Sequence, residues 1–120
     1  MKRSILAVTS FLLFSGLIFS AFPVQGKAGE THTIKVPRNT LKLDPKTLTI
    51  KAGDTIEWLN SDSRKHNIAS VPGSGPTDKL EIFSVMEPGD TFSHTFSVPG
   101  EYPYFCFIHN QMTGHITVTE

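Results

Sequence analysis

The chain is organised around one stretch, Tyr104-Phe105-Cys106-Phe107-Ile108-His109-Asn110-Gln111-Met112-Thr113-Gly114-His115-Ile116-Thr117-Val118, which contains its only cysteine. Two residues separate Cys106 from His109, and two more separate His109 from Met112. After Gly114, polar and apolar residues alternate, which is typical of a strand. Thiolate and thioether are soft ligands, and imidazole binds copper well. The spacing therefore predicts a copper site in a tight loop before a strand, and this site still lacks a second histidine.

The beginning of the chain has the organisation of a secretory signal peptide. A short basic head is followed by an apolar run and by small residues before a cleavage site after Gly26, with a second candidate site after Ala28. A retained membrane anchor is the alternative, because Ile5 to Val24 is uncharged and approaches the length of a membrane span. We predict a signal peptide over residues 1–26 and one copper-binding domain over residues 27–120. Export to the periplasm is preferred to another extracytoplasmic compartment or a thylakoid lumen.

Charge and cysteine content narrow the function further. Without residues 1–26, the chain has nine basic and eleven acidic residues. It has no basic block that could follow a phosphate backbone, which excludes nucleic acid as a partner. One cysteine cannot form an internal disulfide, so a small domain in an oxidising compartment needs another source of stability. A bound metal would supply it.

The pattern after the leader predicts strands and no helix. No segment of ten residues or more has helical periodicity, and turn signals recur at short intervals. The predicted strands are Thr31–Val36, Leu48–Ile50, Thr55–Asn60, His66–Ser70, a short apolar segment within Leu80–Met86, Thr91–Phe96, Glu101–Cys106 and the run after Gly114. This spacing predicts an all-β sandwich or barrel. Pro103 cannot donate to a ladder, so it is expected at an edge, at a bulge or on the unbonded side of its strand.

Four histidines are candidates for the missing imidazole ligand: His32, His66, His94 and His115. His32 begins the first strand and is expected to be exposed, whereas His115 leads away from the loop. His94 alternates with phenylalanines, so it is expected to be half-buried and satisfied by a hydroxyl or backbone group. His66 opens a strand after a polar loop, where a ligand can be held rigidly and still reach a second loop. These observations favour His66 but leave His94 and His115 open.

Four motifs together resemble the small blue copper proteins, the cupredoxins. They are Lys51-Ala52-Gly53-Asp54-Thr55-Ile56-Glu57-Trp58-Leu59-Asn60, then His66-Asn67-Ile68, then Pro99-Gly100-Glu101-Tyr102-Pro103-Tyr104-Phe105-Cys106, and then His109, Met112 and Gly114. The resemblance covers nearly the whole chain after the leader and is strongest with the plastocyanin and amicyanin branch. The short gap between His109 and Met112 is similar to amicyanin, whereas plastocyanins have a longer one. Phe107-Ile108 is bulkier and more apolar than expected of either.

The resemblance implies a fold and a set of ligands. The implied fold is a Greek-key β-sandwich of about eight strands with copper at one end. The implied ligands are His66, Cys106, His109 and Met112. Asn67 would tie the two ligand segments together near the thiolate without binding the metal. Gln111 is a minor rival for the axial position, because some sites of this type use glutamine.

The function implied by the resemblance is that of a soluble one-electron carrier whose copper cycles between Cu(I) and Cu(II). With all four donors bound to copper, no open position is left for a substrate, so we do not expect an enzyme. A copper carrier or storage protein is the first alternative, although a carrier usually offers an exposed Cys or Met pair. A thiol enzyme using Cys106 and His109 is the second, although an i, i+3 pair without a third orienting residue is poor geometry for it.

The resemblance also implies where partners dock. The loop histidine of the family lies nearest the surface, so a redox partner would bind transiently at the copper end near His109. Phe107 and Ile108 are predicted to form part of an apolar docking surface, with the alternative that Phe107 fills the core. The Pro72-Gly73 turn is expected at the same end. We expect a monomer that is not inserted in a membrane after signal cleavage.

Overall fold

The computed structural model of the chain describes residues 16, 21, 27, 29–76 and 83–120. Almost all of the predicted signal peptide and part of the predicted Leu80–Met86 segment lie outside these residues. The described residues form eight strands and no helix: β1 (Thr31–Val36), β2 (Thr47–Lys51), β3 (Thr55–Asn60), β4 (His66–Ser70), β5 (Phe83–Met86), β6 (Thr91–Thr95), β7 (Gly100–Phe105) and β8 (Thr113–Thr119). Within these residues, no helix is long and apolar enough to cross a membrane.

The strands form two sheets. The smaller sheet has the order β1-β3-β6, and the larger has the order β2-β8-β7-β4-β5. Each sheet is mixed, because β1 pairs with β3 and β2 pairs with β8 in parallel, while the other neighbours are antiparallel. The predicted all-β sandwich is therefore confirmed.

The core between the sheets is built around Trp58. On β3, Ile56 and Trp58 are fully buried, while the alternating residues Glu57 and Leu59 are half-buried. The Trp58 ring stacks on Phe92 of β6 with a centroid distance of 5.6 Å and meets the edge of Tyr104 of β7, also at 5.6 Å. The contact with Tyr104 joins the two sheets, and burying one such large apolar side chain stabilises a fold by roughly 1.5–3 kcal/mol.

The topology brings three strand ends together. β7 and β8 are antiparallel neighbours, so their connection leaves the end of β7 close to the start of β8. β4 is antiparallel to β7, with Ser70 opposite Tyr104 and Ala69 opposite Phe105, so β4 begins at the same end. Here the side chain of Tyr104 lies across Gly114, where a Cβ atom would come within 2.3 Å of the Tyr104 Cζ. Gly114 is thus required by close packing where β8 begins.

Pro103 is accommodated where β4 and β7 part. Its carbonyl accepts a hydrogen bond from Val71 N at 3.1 Å, just beyond the last registered pair of these strands. The reciprocal bond is impossible because proline has no N–H, and the Val71 carbonyl instead accepts from Ser74 N at 3.1 Å. The expectation that the Pro72-Gly73 turn lies at the copper end is wrong, since β4 runs away from His66 and the turn follows its far end.

Candidate metal centre

Three donor side chains meet where β4 begins and β7 ends. The Sγ atom of Cys106 lies 4.0 Å from Nδ1 of His66 and 3.8 Å from Nδ1 of His109, and the three donor atoms lie within 4.8 Å of one another. His66 and Cys106 are fully buried, whereas His109 is half-buried. Of the four histidine candidates, the structure thus brings His66 to the cysteine.

The spacing of these donors fits a metal ion. Metal–sulfur and metal–nitrogen bonds of roughly 2.0–2.3 Å can span donor atoms that lie about 4 Å apart around one ion. A thiolate with two imidazoles is a donor set that copper favours, and no carboxylate oxygen of the described residues belongs to the cluster. His66, Cys106 and His109 are therefore positioned to hold a metal ion, and their chemistry suits copper.

Asn67 connects the two segments that carry the ligands. Its side-chain oxygen accepts hydrogen bonds from the backbone nitrogens of Phe107 and Ile108, at 2.6 and 3.3 Å. The Cys106 thiol donates to the same oxygen at 3.3 Å, and Asn67 N donates to Cys106 Sγ at 3.4 Å. Once the thiol is deprotonated, the backbone N–H remains a donor to the sulfur. Asn67 therefore links the start of β4 to the backbone that follows Cys106.

The residues from Cys106 to Met112, here called the ligand loop, form a closed turn. Cys106 N donates to the Met112 carbonyl at 2.8 Å, and Met112 N donates to the His109 carbonyl at 2.9 Å. Met112 is fully buried in the same cluster as Cys106, whereas Gln111 is exposed. The loop thus turns the methionine, and not the glutamine, into the interior.

Sequence reasoning missed the residue that holds His66. His66 Nε2 lies 2.8 Å from Oδ2 of Asp62, and both side chains are fully buried. The hydrogen bond to His66, followed by that from Asn39 N, holds the pKa of Asp62 well below its usual range, against the effect of burial. The available signal was an acidic residue four positions before a candidate ligand, but carboxylates in polar loops are usually solvated.

Asn60 shapes the loop that carries Asp62. Its side-chain amide nitrogen donates to the carbonyls of Arg64 and Met86, at 2.8 and 3.0 Å, and its side-chain oxygen accepts from Asp62 N at 3.0 Å. Asn60 is fully buried at the end of β3, so these bonds form in the interior, where each unmade bond would be costly. The side chain of Asn60 therefore holds the conformation of the loop between β3 and β4.

The ligand loop reaches the surface next to His109. Phe107 is 67% exposed and Ile108 is 46% exposed, so the alternative that Phe107 fills the core is wrong. Burial lowers the pKa of His109. A lowered pKa favours the neutral imidazole, which is the form that binds metals.

The other three histidines lie apart from the cluster. His32 is partly exposed and bonds to Asp54 at 2.9 Å, and His115 pairs with Glu101 on the outside of the larger sheet. His94 is half-buried and packs edge-on to Phe96, with burial lowering its pKa. The expectation that His94 is satisfied by a hydroxyl or backbone group is wrong for Nε2, which has no partner in the described part of the chain.

Comparisons with known proteins agree with this site. Residues 30–119 match the family model for copper binding proteins of the plastocyanin/azurin family. Plastocyanin of Nostoc punctiforme is 32% identical in an alignment of 134 positions, which includes 98% of this chain and 94% of that protein. Chloroplastic plastocyanin of Chlamydomonas reinhardtii is 31% identical over 105 residues, covering 82% of this chain and 72% of the relative.

Solved structures show the same likeness. A purple cupredoxin from Nitrosopumilus maritimus superposes with a TM-score of 0.64 at 32% identity, covering 72% of this chain and 98% of that one. A reduced amicyanin variant superposes with a TM-score of 0.61 at 27% identity, covering 74% of this chain and 82% of the other.

Proposed function

The chain belongs to the plastocyanin/azurin family of copper-binding proteins, and we propose that it carries single electrons on one copper ion that alternates between Cu(I) and Cu(II). The observation that supports this best is the buried Cys106 thiol with two histidine Nδ1 atoms at 3.8 and 4.0 Å. When bound, copper would supply the one-electron chemistry. The protein supplies a fixed set of donors, so little has to move when the electron arrives.

We propose His66, Cys106, His109 and Met112 as the copper ligands. The first three offer nitrogen and sulfur atoms within 4.8 Å of one another. Met112 is proposed as the weak axial ligand because it is fully buried beside Cys106 and its backbone closes the ligand loop. Gln111 is a poor rival, since its side chain is exposed.

Asn67 would adjust the reduction potential through its hydrogen bond to the Cys106 sulfur, without binding the metal. Its backbone N–H points at Cys106 Sγ, and its side-chain oxygen fixes the backbone that follows the cysteine. Hydrogen bonds to a metal-bound thiolate and the apolar residues around it set the reduction potential of such sites. Asn67 therefore contributes to potential and rigidity together.

Electrons would enter and leave through His109. It is the more exposed of the two histidines in the cluster, and the exposed Phe107 and Ile108 precede it. We propose that redox partner proteins dock transiently on this apolar surface, because weak redox encounters use small interfaces, below about 1,200 Å² in total. The near balance of charge outside the leader suggests modest electrostatic steering.

A copper carrier or storage protein remains the second candidate. A fully buried single cysteine does not favour it, because transfer of the ion to another protein needs an accessible donor. A thiol enzyme is disfavoured for the same reason, and the shortest hydrogen bond of the thiol is to the Asn67 side-chain oxygen at 3.3 Å, closer than either histidine nitrogen. Iodoacetamide should therefore fail to alkylate the copper-bound protein.

We also propose that the chain is exported and works outside the cytoplasm, with the periplasm as the preferred compartment. The basic and apolar leader over residues 1–26 supports this. Cell fractionation with mass spectrometry of the N-terminus would test it. A periplasmic protein beginning at Lys27 or Gly29 agrees with the proposal, and a membrane-bound protein with an intact leader contradicts it.

A visible spectrum of the purified protein with added Cu(II) tests the copper site. We expect one equivalent of copper to produce an intense thiolate-to-copper charge-transfer band, which ascorbate should bleach. The Cys106→Ser variant should lack the band. A carrier would not keep Cu(II) in a stable coloured form, and strong visible absorption in Cys106→Ser would contradict the ligand assignment.

A further inference from the structure

We propose that Asp62 is a positioning residue for the copper site, that it lowers the reduction potential through His66, and that Arg64 moderates this effect. The role rests on the proposed electron transfer, because it concerns the potential of that same copper. Asp62 is not a member of the donor cluster, but it is bonded to the histidine of that cluster that β4 carries. It acts on the ring of a ligand from the side opposite the metal.

The Asp62 carboxylate is fixed on both oxygens. Oδ1 accepts from the backbone nitrogens of Asn39 and Ser63, at 3.0 and 2.8 Å. Oδ2 accepts from Arg64 Nε at 2.8 Å and lies 2.8 Å from His66 Nε2. The Asp62 side chain is fully buried, so these contacts replace its hydration. A carboxylate held by four partners is a permanent and oriented negative charge.

This carboxylate decides which nitrogen of His66 can bind a metal. An ionised carboxylate only accepts hydrogen bonds, so His66 Nε2 must carry the hydrogen. In the neutral ring, the lone pair then lies on Nδ1, the atom that faces Cys106 Sγ at 4.0 Å. Such carboxylate–histidine pairs orient metal ligands and raise their basicity. His109 has no carboxylate partner in the described part of the chain, so this control acts on one ligand alone.

The direction of the effect follows from charge. A buried negative charge next to a ligand stabilises the more positive Cu(II) form over Cu(I), so it lowers the reduction potential. A more basic imidazole favours Cu(II) as well. Removing the Asp62 charge while keeping the shape of the side chain should therefore raise the potential.

Arg64 and His66 both contact Oδ2 of Asp62, and Arg64 should raise the reduction potential that Asp62 lowers. Its Nε donates to Asp62 Oδ2, which also faces His66, and its Nη2 donates to the Thr40 carbonyl at 3.2 Å. The Arg64 side chain is 42% exposed, so its loss should not unfold the protein. Without this guanidinium, more of the Asp62 charge is available to His66, and the potential should fall.

A double-mutant cycle on the copper-loaded protein separates this role from long-range electrostatics. The variants are Asp62→Asn, Arg64→Gln and the two combined, and the midpoint potential is measured by spectroelectrochemistry. We expect Asp62→Asn to raise the potential and Arg64→Gln to lower it. In the Asp62→Asn background, Arg64→Gln should have little effect, because Arg64 acts through Asp62.

Lys65→Gln is the matched control. It removes the same charge from the same loop, next to His66, but the Lys65 amine pairs with Glu87 at the surface, where the two side chains are 52% and 57% exposed. Water screens such a pair, so its effect on the potential should be the smallest of the set. An equal shift in Lys65→Gln and Arg64→Gln, or an unchanged Arg64 effect without Asp62, would overturn the proposal.

The tautomer of His66 gives a readout that needs no copper. Nitrogen-15 chemical shifts of the metal-free protein should place the hydrogen on Nε2 in the parent and in Arg64→Gln. A parent with the hydrogen on Nδ1 would overturn the positioning role, and this decides the matter even if Asp62→Asn fails to fold. If the parent forms no reversible coloured copper site, the proposed electron transfer fails, whereas the tautomer still reports on Asp62.

Discussion

The side-chain oxygen of Asn67 accepts a hydrogen bond from Phe107 N at 2.6 Å, and this bond joins two ligand segments that are 40 residues apart in sequence. The same oxygen accepts from Ile108 N, while Asn67 N donates to the Cys106 sulfur. These contacts involve only protein atoms. The two halves of the site are therefore held together by the fold, and the metal does not have to assemble them.

We expect Asn67→Ala to destabilise the metal-free protein. The substitution leaves two backbone N–H groups of the ligand loop without their acceptor, which should lower the free energy of unfolding by about 1–3 kcal/mol. Urea denaturation of the metal-free protein measures this. Asn110→Ala is the control in the same loop, since Asn110 is exposed, and its effect should stay within about 0.5 kcal/mol. Equal losses in the two variants would mean that Asn67 does not hold the loop.

Much of the fold could be predicted because its signals are local. The alternation in Thr31–Val36 and Thr55–Asn60 and the turn residues between strands predict the strands themselves. The order of strands in the sheets, in contrast, depends on contacts between residues that are far apart in sequence. The parallel pairing of β1 with β3 depends on how the Trp58 face packs, so the pattern leaves it open. The misplaced Pro72-Gly73 turn has the same origin, since its position follows from the direction of β4 in the sheet.

The site divides in the same way. The closeness of Cys106 and His109 could be predicted from spacing, because one short loop carries both, and the same spacing supports the proposal of Met112. His66 required the family resemblance to stand out from the other histidines. The contact of Asp62 with His66 could not be predicted. The burial of Asp62 depends on a hydrogen bond from Asn39 N in another loop and on one from its own backbone nitrogen to the Asn60 side chain.

Met112→Leu should keep its copper and raise the reduction potential. The change conserves volume at a fully buried position, so it should cost less than about 1.5 kcal/mol in stability, while a weak donor to Cu(II) is lost. Copper content and midpoint potential are the measurements. Gln111→Ala changes an exposed neighbour and should leave both unaltered. Copper loss in Met112→Leu with a shifted potential in Gln111→Ala would reverse the axial assignment.

Ile108→Lys should slow electron self-exchange between two copies of the protein and leave the spectrum and potential nearly unchanged. The substitution places a charge on the exposed apolar surface beside His109 and so adds repulsion and desolvation cost when two copies meet. Val71→Lys is the matched control, because Val71 is 37% exposed but lies beyond the far end of β4. The parent rate should depend only gently on salt. Equal slowing in the two variants would mean that electrons do not leave through the apolar surface beside His109.

Acid should remove a stabilising contribution from Asp54. Hydrogen bonds from His32, first, and from Lys51 N and Glu30 N lower the pKa of Asp54 from 3.8 to about 2. A depressed pKa means that the stabilisation is complete above the ordinary value and is lost as the pH falls from 3.8 to about 2.

Thermal unfolding of the metal-free protein tests this contribution. The parent should melt higher than Asp54→Asn at pH 5, and the difference should shrink through this acid range. His32→Gln removes the largest cause, so the contribution of Asp54 should be smaller in this variant and should be fully lost at a higher pH than in the parent. A difference between parent and Asp54→Asn that does not change with pH would contradict the assignment.

A spectroelectrochemical titration of the copper-loaded protein without oxygen tests the proposed one-electron transfer most directly. We expect the visible charge-transfer band to disappear and return along one reversible curve with the slope of a single electron, with copper retained throughout. A band that fails to return, or copper that leaves the protein on reduction, would show a protein that delivers the ion and would contradict electron transfer as its function.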